Sequence, residues 1–307
     1  MRNFTQLWLG RGSVVVMVLL FLASTGHTAE QTASAGYANA ALLVTAPQVV
    51  EHLSDTSWRI VDVRSAEQYA AGHIPGAVHF PLLAINRAIN GTPGMLAPLS
   101  VVTKALGDRG INRESQVVIY DDIGGVPATR LFWVLDYLGH PRMSVLQGGF
   151  ALWNHEGRPV SRQAPQIQAI TYQATPVTTK LADLSWVQTH LQNPGIVLLD
   201  ARSSQEFTGQ KPGRQIERPG HIPGAVNVNW VRNLTLSAPH QFKAGADLAA
   251  LYQDIGVTPE KEIVVYCRTG MRASHTYFVL RLLGYPRVRM YDGSYVEWSA
   301  DARLPIS

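Results

Sequence analysis

Gly72-His73-Ile74-Pro75-Gly76-Ala77-Val78 returns, residue for residue, as Gly220-His221-Ile222-Pro223-Gly224-Ala225-Val226. A seven-residue identity is hard to attribute to chance, and its flanks repeat as well. Upstream, Ile60-Val61-Asp62-Val63-Arg64 matches Val197-Leu198-Leu199-Asp200-Ala201-Arg202; downstream, Val117-Val118-Ile119-Tyr120 matches Ile263-Val264-Val265-Tyr266. Further on, Gly139-His140-Pro141-Arg142 through Trp153 parallels Gly284-Tyr285-Pro286-Arg287 through Trp298. The chain therefore reads as two copies of one unit: a first domain over residues 41–160, a second over 181–307. Between them, 161–180 is rich in Gln, Thr and Pro and is expected to be an extended linker.

Within each copy, β-branched runs such as Ile263-Val264-Val265-Tyr266 lack polar alternation, the pattern of strands buried on both faces of a parallel sheet. Helical patterns follow them, over 128–138 with Gly139 as the stop and over 273–283 with Gly284 as the stop. Strand alternating with helix predicts an α/β fold, each unit a mainly parallel sheet flanked by helices. Such sheets bind ligands beyond the carboxyl ends of their strands. Cys267 lies at that end.

The 307 residues are 46% hydrophobic and 16% charged, enough to bury sizeable cores and too apolar for a disordered or fibrous chain. Lys and Arg number 26 against 22 acids, spread rather than clustered, so the +4 balance suits small anionic ligands and does not argue for nucleic acid. One cysteine permits no intramolecular disulfide and excludes zinc sites built on two or more thiolates; no metal is expected. At the N-terminus, Arg2 and Arg11 precede ten apolar residues at 14–23, followed by Ser24, Thr25, Gly26 and Ala29. This reads as a signal peptide over 1–29, because ten residues are too short to span a bilayer. The protein is expected to be exported, to the periplasm, with no membrane span after cleavage.

Tyr266-Cys267-Arg268-Thr269-Gly270-Met271-Arg272-Ala273-Ser274 sets the thiol between a buried strand and a helix N-terminus. Backbone N–H groups converge there and the helix dipole adds positive potential, so an anion is held and a thiolate favoured. Arg268 and Arg272 add two cations. The expectation is a nucleophilic, partly exposed thiolate rather than an inert core cysteine. The matching loop of the first copy, Asp121-Asp122-Ile123-Gly124-Gly125, offers carboxylates in place of the thiol and is expected to be inactive and a poor anion cradle.

These features resemble the two-domain rhodaneses, the thiosulfate and 3-mercaptopyruvate sulfurtransferases. The likeness covers the Asp-x-Arg strand ends, both Gly-His-Ile-Pro-Gly-Ala segments, the cysteine loop, and the closing Tyr291-Asp292-Gly293-Ser294 and Trp298. It implies an inactive first domain and a catalytic second one. The implied chemistry is a double displacement in which Cys267 takes sulfur from thiosulfate or mercaptopyruvate as a persulfide and passes it to cyanide, a thiol or a protein acceptor, without a cofactor. Arg268, Thr269, Gly270, Met271 and Arg272 would bind the donor.

The chain departs from the family pattern at Glu206, where relatives of this architecture carry a donor-binding Arg six positions after the second-domain Asp. Cys-Arg-Thr-Gly-Met-Arg itself looks more like the loop of single-domain rhodaneses. Asp200 to Gly220 spans ten residues more than Asp62 to Gly72. Within this insertion Arg214 and Arg218 either replace the missing cation or are solvated charges. Asp200 and Arg202, like Asp62 and Arg64, are expected to pair at strand ends. His73 and His221 occur in both copies, which favours turn roles, and Trp153 and Trp298 read as core anchors. His275 follows the cysteine on the helix with its orientation open. A cysteine phosphatase needs Cys-x5-Arg, and position 273 is Ala. A non-catalytic persulfide carrier is the remaining alternative.

Overall fold

The computed structural model describes residues 36–307, so the expected leader at 1–29 lies outside the described residues. The first half comprises β1 (Leu43–Val44), α1 (Ala46–Glu51), β2 (Trp58–Asp62), α2 (Ala66–Ala71), β3 (Val78–His79), β4 (Asn86–Ile89), β5 (Thr92–Leu96), α3 (Leu99–Gly107), β6 (Gln116–Tyr120), α4 (Val126–Tyr137), β7 (Met143–Leu146) and α5 (Gly149–His155). The second comprises β8 (Leu181–Ala182), α6 (Leu184–His190), β9 (Ile196–Asp200), α7 (Ser204–Phe207), β10 (Val226–Asn227), α8 (Gly245–Gln253), β11 (Glu262–Tyr266), α9 (Met271–Leu282), β12 (Val288–Tyr291) and α10 (Ser294–Ala300).

Each half holds a five-stranded sheet, ordered β3-β2-β6-β7-β1 and β10-β9-β11-β12-β8, with every neighbouring pair parallel. The central strands β6 and β11 are buried over their last four residues, which is why their sequences do not alternate. In both sheets the register sets an aspartate beside a tyrosine at the carboxyl edge, Asp62 opposite Tyr120 and Asp200 opposite Tyr266. The antiparallel hairpin β4–β5 belongs to the first half. The second has at the corresponding point a single bridge between Leu234 and Phe242.

Helices α4 and α9 start two residues before the expected 128 and 273. The cause is at their caps: Gly125 and Gly270 take left-handed φ of 93° and 82°, turning the chain straight into the helix. Nor is either helix buried on one face alone. Ten residues of α4 and nine of α9 are buried, because each lies between its own sheet and the other half. Phe132 and Phe278 meet edge to face across this seam at 4.8 Å, and one apolar core runs through it. Residues 161–177 carry no regular structure and are pinned along the first half, Ile170 N to Gly107 O at 3.0 Å and Val177 N to Tyr137 O at 2.7 Å.

Trp153 and Trp298 are fully buried and each donates to a proline carbonyl, Pro159 and Pro305, at 2.8 Å. His73 stacks on Tyr69 and bonds its carbonyl; His221 does the same with Phe207. Both histidines are turn fixtures. No helix among the described residues is long and apolar enough to cross a membrane.

Candidate active site

Strand β11 delivers Cys267 to the sheet's carboxyl edge. There the following four-residue loop is tied down from behind. Ser294 Oγ accepts from Cys267 N at 3.2 Å and Gly270 N at 3.0 Å while donating to Tyr291 O at 2.8 Å. Tyr295 N donates to Cys267 O at 3.0 Å and Val296 N to Arg268 O at 3.1 Å. With Gly270 N satisfied by Ser294, the next N–H groups of α9, at Met271, Arg272 and Ala273, lack intrahelical acceptors as in any first turn. These are the donors available to an anion at the thiol.

Cys267 is 1% exposed, not partly exposed as the loop sequence suggested. Two elements that local sequence does not link to the cysteine pack against its loop. The hairpin β4–β5 crosses from the first half and brings Gly94, at φ of 80°, against Thr269; a Cβ there would lie 2.8 Å from the Thr269 carbonyl oxygen. The second-domain insertion sets Gly213 against Arg268, with 2.7 Å between an added Cβ and Cδ.

Arg272 is not free. Its Nη1 donates to Glu206 Oε2 at 2.7 Å and its Nη2 to Oε1 at 2.8 Å. Glu206 caps α7 in return, its Oε2 accepting from Ser203 N at 3.1 Å. Burial alone would raise the Glu206 carboxyl, but the Arg272 hydrogen bonds and charge, with the Ser203 amide, bring it down to about 2. For Arg272, burial works against the charged form, and Glu206 together with the Cys267 thiolate outweighs it and raises the guanidinium. Arg268 is half-buried, and among the described residues its side chain makes one hydrogen bond, Nη1 to Arg214 O at 3.0 Å.

The insertion does not supply a replacement cation. Arg214 contributes its carbonyl, its side chain being exposed. Arg218 is neither solvated nor at the thiol: Nε donates to Ser299 O at 2.9 Å and Nη1 to Leu304 O at 2.8 Å, fastening the insertion to the C-terminal segment. Asp200 and Arg202 pair as expected, Nη2 to Oδ2 at 2.6 Å, with Arg202 also on Gly220 O at 2.8 Å and over the Tyr295 ring at 4.0 Å. The first domain repeats this with Arg64 on Asp62, Gly72 O and the Phe150 ring. Repetition in a half without the thiol marks the pair as scaffold.

The first-domain loop does form an amide cradle, and its occupant is internal. Its own Asp121 carboxylate fills the position: Oδ1 accepts from Ile123 N and Gly125 N at 2.9 Å each, and Oδ2 from Ala128 N at 2.9 Å. His275 is buried with Nε2 on Gly124 O of that loop at 3.0 Å and Nδ1 beside Asn233 Nδ2 at 3.3 Å. It faces the neighbouring domain rather than the thiol.

Asp292 and Arg130 carried no role in the sequence reading. Asp292 accepts Arg130 Nη1 at 2.8 Å and Leu96 N at 2.6 Å, both from the first half. Its counterpart after β7, Gln147, meets the backbone of Phe242 in the second half, accepting from its N at 3.0 Å. Polar residues at matching positions after both strands were the available signal.

The rhodanese-like domain pattern matches the chain twice, at 45–156 and 183–301. A thiosulfate sulfurtransferase of Azotobacter vinelandii is 34% identical over 270 residues, covering 88% of this chain and 98% of that protein. The sulfur carrier protein TtuD of Thermus thermophilus is 33% identical, over 89% and 98%, and the 3-mercaptopyruvate sulfurtransferase of Escherichia coli 30%, over 86% and 96%. Among solved structures, an anaerobic ergothioneine biosynthesis enzyme of Chlorobium limicola with trimethyl histidine superposes with a TM-score of 0.80 at 26% identity, covering 87% of this chain and 70% of that one.

Proposed function

This chain belongs to the rhodanese-like domain family, and from that premise we propose that it is a thiosulfate sulfurtransferase working through a persulfide on Cys267. The observation that carries the reading is the thiol on the loop that leads into the α9 N-terminus, where the other copy holds a carboxylate on its loop amides. The Cys267 thiolate attacks the outer sulfur of thiosulfate; the sulfur–sulfur bond breaks and sulfite leaves with the bonding pair. The persulfide anion then rests on the loop amides. Cyanide or a thiolate attacks its terminal sulfur, forming thiocyanate or an acceptor persulfide, and Cys267 departs as thiolate.

Arg268 and the amides receive the donor oxyanion, while Thr269, Gly270 and Met271 shape the loop. The relatives named for thiosulfate support this donor over mercaptopyruvate. Mass spectrometry after thiosulfate should show a gain of about one sulfur, removed by cyanide or dithiothreitol. Full transfer by Cys267→Ala would defeat the reading, and a mercaptopyruvate advantage of tenfold or more in kcat/KM would overturn the donor assignment.

A second reading, delivery of the persulfide to a protein acceptor, is favoured by the likeness to a protein named as a sulfur carrier. Rapid loading with slow discharge to cyanide and fast discharge to a protein thiol would single it out. Export to the periplasm rests on the leader-like 1–29. A processed N-terminus in the periplasmic fraction is the expected result, and an unprocessed cytoplasmic protein would refute it.

A further inference from the structure

Arg130 is fully buried, and its fork reaches three segments at once: Nε donates to Asn86 Oδ1 at 2.9 Å, Nη2 to Gly94 O at 2.9 Å and Nη1 to Asp292 Oδ1 at 2.8 Å. Asn86 and Gly94 lie on the hairpin that covers Thr269. Asp292 precedes the Gly293-Ser294 turn whose hydroxyl holds the Cys267 and Gly270 amides. Arg130 also lies directly against the loop, since a Cβ on Gly270 would stand 3.0 Å from Nη1 and 3.1 Å from Asp292 Oδ1. A buried guanidinium held by three acceptors has little freedom.

Position in the helix explains why the first half supplies this group. Arg130 is the fifth residue of α4, and His275 is the fifth residue of α9. Each reaches across the seam to the other half's loop: Arg130 to the Gly270 corner, His275 to Gly124 O. The duplicated helices thus brace each other's loops, and the brace on the cysteine loop is the charged one.

We propose that Arg130, from the half that lacks the thiol, is a positioning residue for sulfur transfer: it locks hairpin and Asp292 turn together so that the α9 amides stay aimed at Cys267. The inference rests on Cys267 being the sulfur-carrying group. Among the described residues, the charged groups at this corner include Arg268 and Arg272 on the loop and helix, Glu206 on α7, the Asp200–Arg202 pair, and Asp292 with Glu297 around the Ser294 turn. Arg130 brings a cation to the loop from the other half. Removing it slackens the amides and leaves the Asp292 charge uncompensated; both effects disfavour the thiolate.

The test follows Cys267 thiolate absorbance against pH in the full chain, using Cys267→Ser as the blank and needing no sulfur donor. Arg130→Met is expected to move the titration midpoint upward by about one pH unit, a tenfold change. Arg130→Lys keeps the charge but loses the fork, and is expected to recover less than half of that shift. Tyr277→Phe removes a 2.6 Å hydrogen bond to Asp136 elsewhere in the same seam; it should lower the melting temperature and leave the midpoint in place. If Arg130→Met leaves the midpoint unmoved, if Tyr277→Phe moves it equally, or if Lys restores it fully, the positioning role is overturned. Should Arg130→Met fail to fold, Asp292→Asn reads the same lock: because it removes a negative charge, an upward shift there supports positioning and a downward one refutes it. A wild type that never forms a persulfide would defeat the proposed function while leaving this titration decisive.

Discussion

Glu206 grips Arg272 through both carboxylate oxygens, at 2.7 and 2.8 Å, so a cation that closes the thiol's loop is already partnered before any donor arrives. The pair is partly buried, with side chains 24% and 14% exposed. A donor oxyanion that draws on Arg272 as well as Arg268 and the loop amides must therefore share or displace a bidentate carboxylate.

Opposite outcomes follow for the two partners. Glu206→Ala frees the guanidinium and is expected to lower KM for thiosulfate, with some loss of melting temperature from the uncapped α7. Arg272→Ala removes a charge-assisted contact worth roughly 1.5–3 kcal/mol, about tenfold to a hundredfold in kcat/KM. Steady-state kinetics with melting curves on both variants check this; equal losses would make the pair a brace and nothing more.

The same pair predicts an acid limit. Glu206 titrates at about 2 in the folded chain, below the ordinary carboxylate value near 4.5. Its stabilisation is complete above that ordinary value and is lost as pH falls through the folded one. Glu206→Gln should thus melt below wild type at neutral pH, with the gap closing on acidification from about 4.5 to 2. Melting curves across that range provide the measurement.

His275 acts over a milder window. Burial depresses its imidazole to about 3, the Gly124 carbonyl opposing only in part. The unfolded chain takes up a proton near 6.5 and the folded chain does not, so stability falls as pH drops from about 6.5 towards 3. His275→Gln keeps a donor for Gly124 O and has no proton to gain. Its stability difference between pH 7 and pH 4 should be smaller than that of wild type, measured by urea denaturation at each pH.

In the first domain, Asp121→Ala would strand the amides of Ile123, Gly125 and Ala128. Unpaired buried N–H groups cost about 1–3 kcal/mol each when nothing replaces the acceptor. A clear fall in melting temperature is expected, smaller for Asp121→Asn, which keeps one acceptor oxygen. Equal melting of Ala and Asn variants would show that the amides find water instead.

Much of this architecture was readable in the linear sequence because it is local or repeated. The unalternating runs ending at Tyr120 and Tyr266, and the cysteine loop before its helix, are each encoded within a dozen residues. Arg130, Gly94 and Asp292 were not readable, because their meaning arises only when two halves dock. An arginine inside α4 carries no mark of the segments it will bridge, and Gly94 looks like an ordinary hairpin glycine until Thr269 presses on it. Cys267 misled for the same reason: its loop chemistry was legible, but the packing of the hairpin on Thr269 and of the insertion on Arg268 was not. That Asp121 makes its loop a poor receptor for an outside anion was legible in its charge; that the loop's own backbone amides receive the carboxylate was not.

Asp121 also sets a valence. A duplicated fold suggests two equivalent anion receptors per chain, but one is taken by a tethered carboxylate that competes intramolecularly with any dissolved ion. Sulfite released by turnover, or any oxyanion inhibitor, is therefore offered the loop amides of the second half and not those of the first. Product inhibition should saturate with one equivalent per chain and show no cooperativity between the halves.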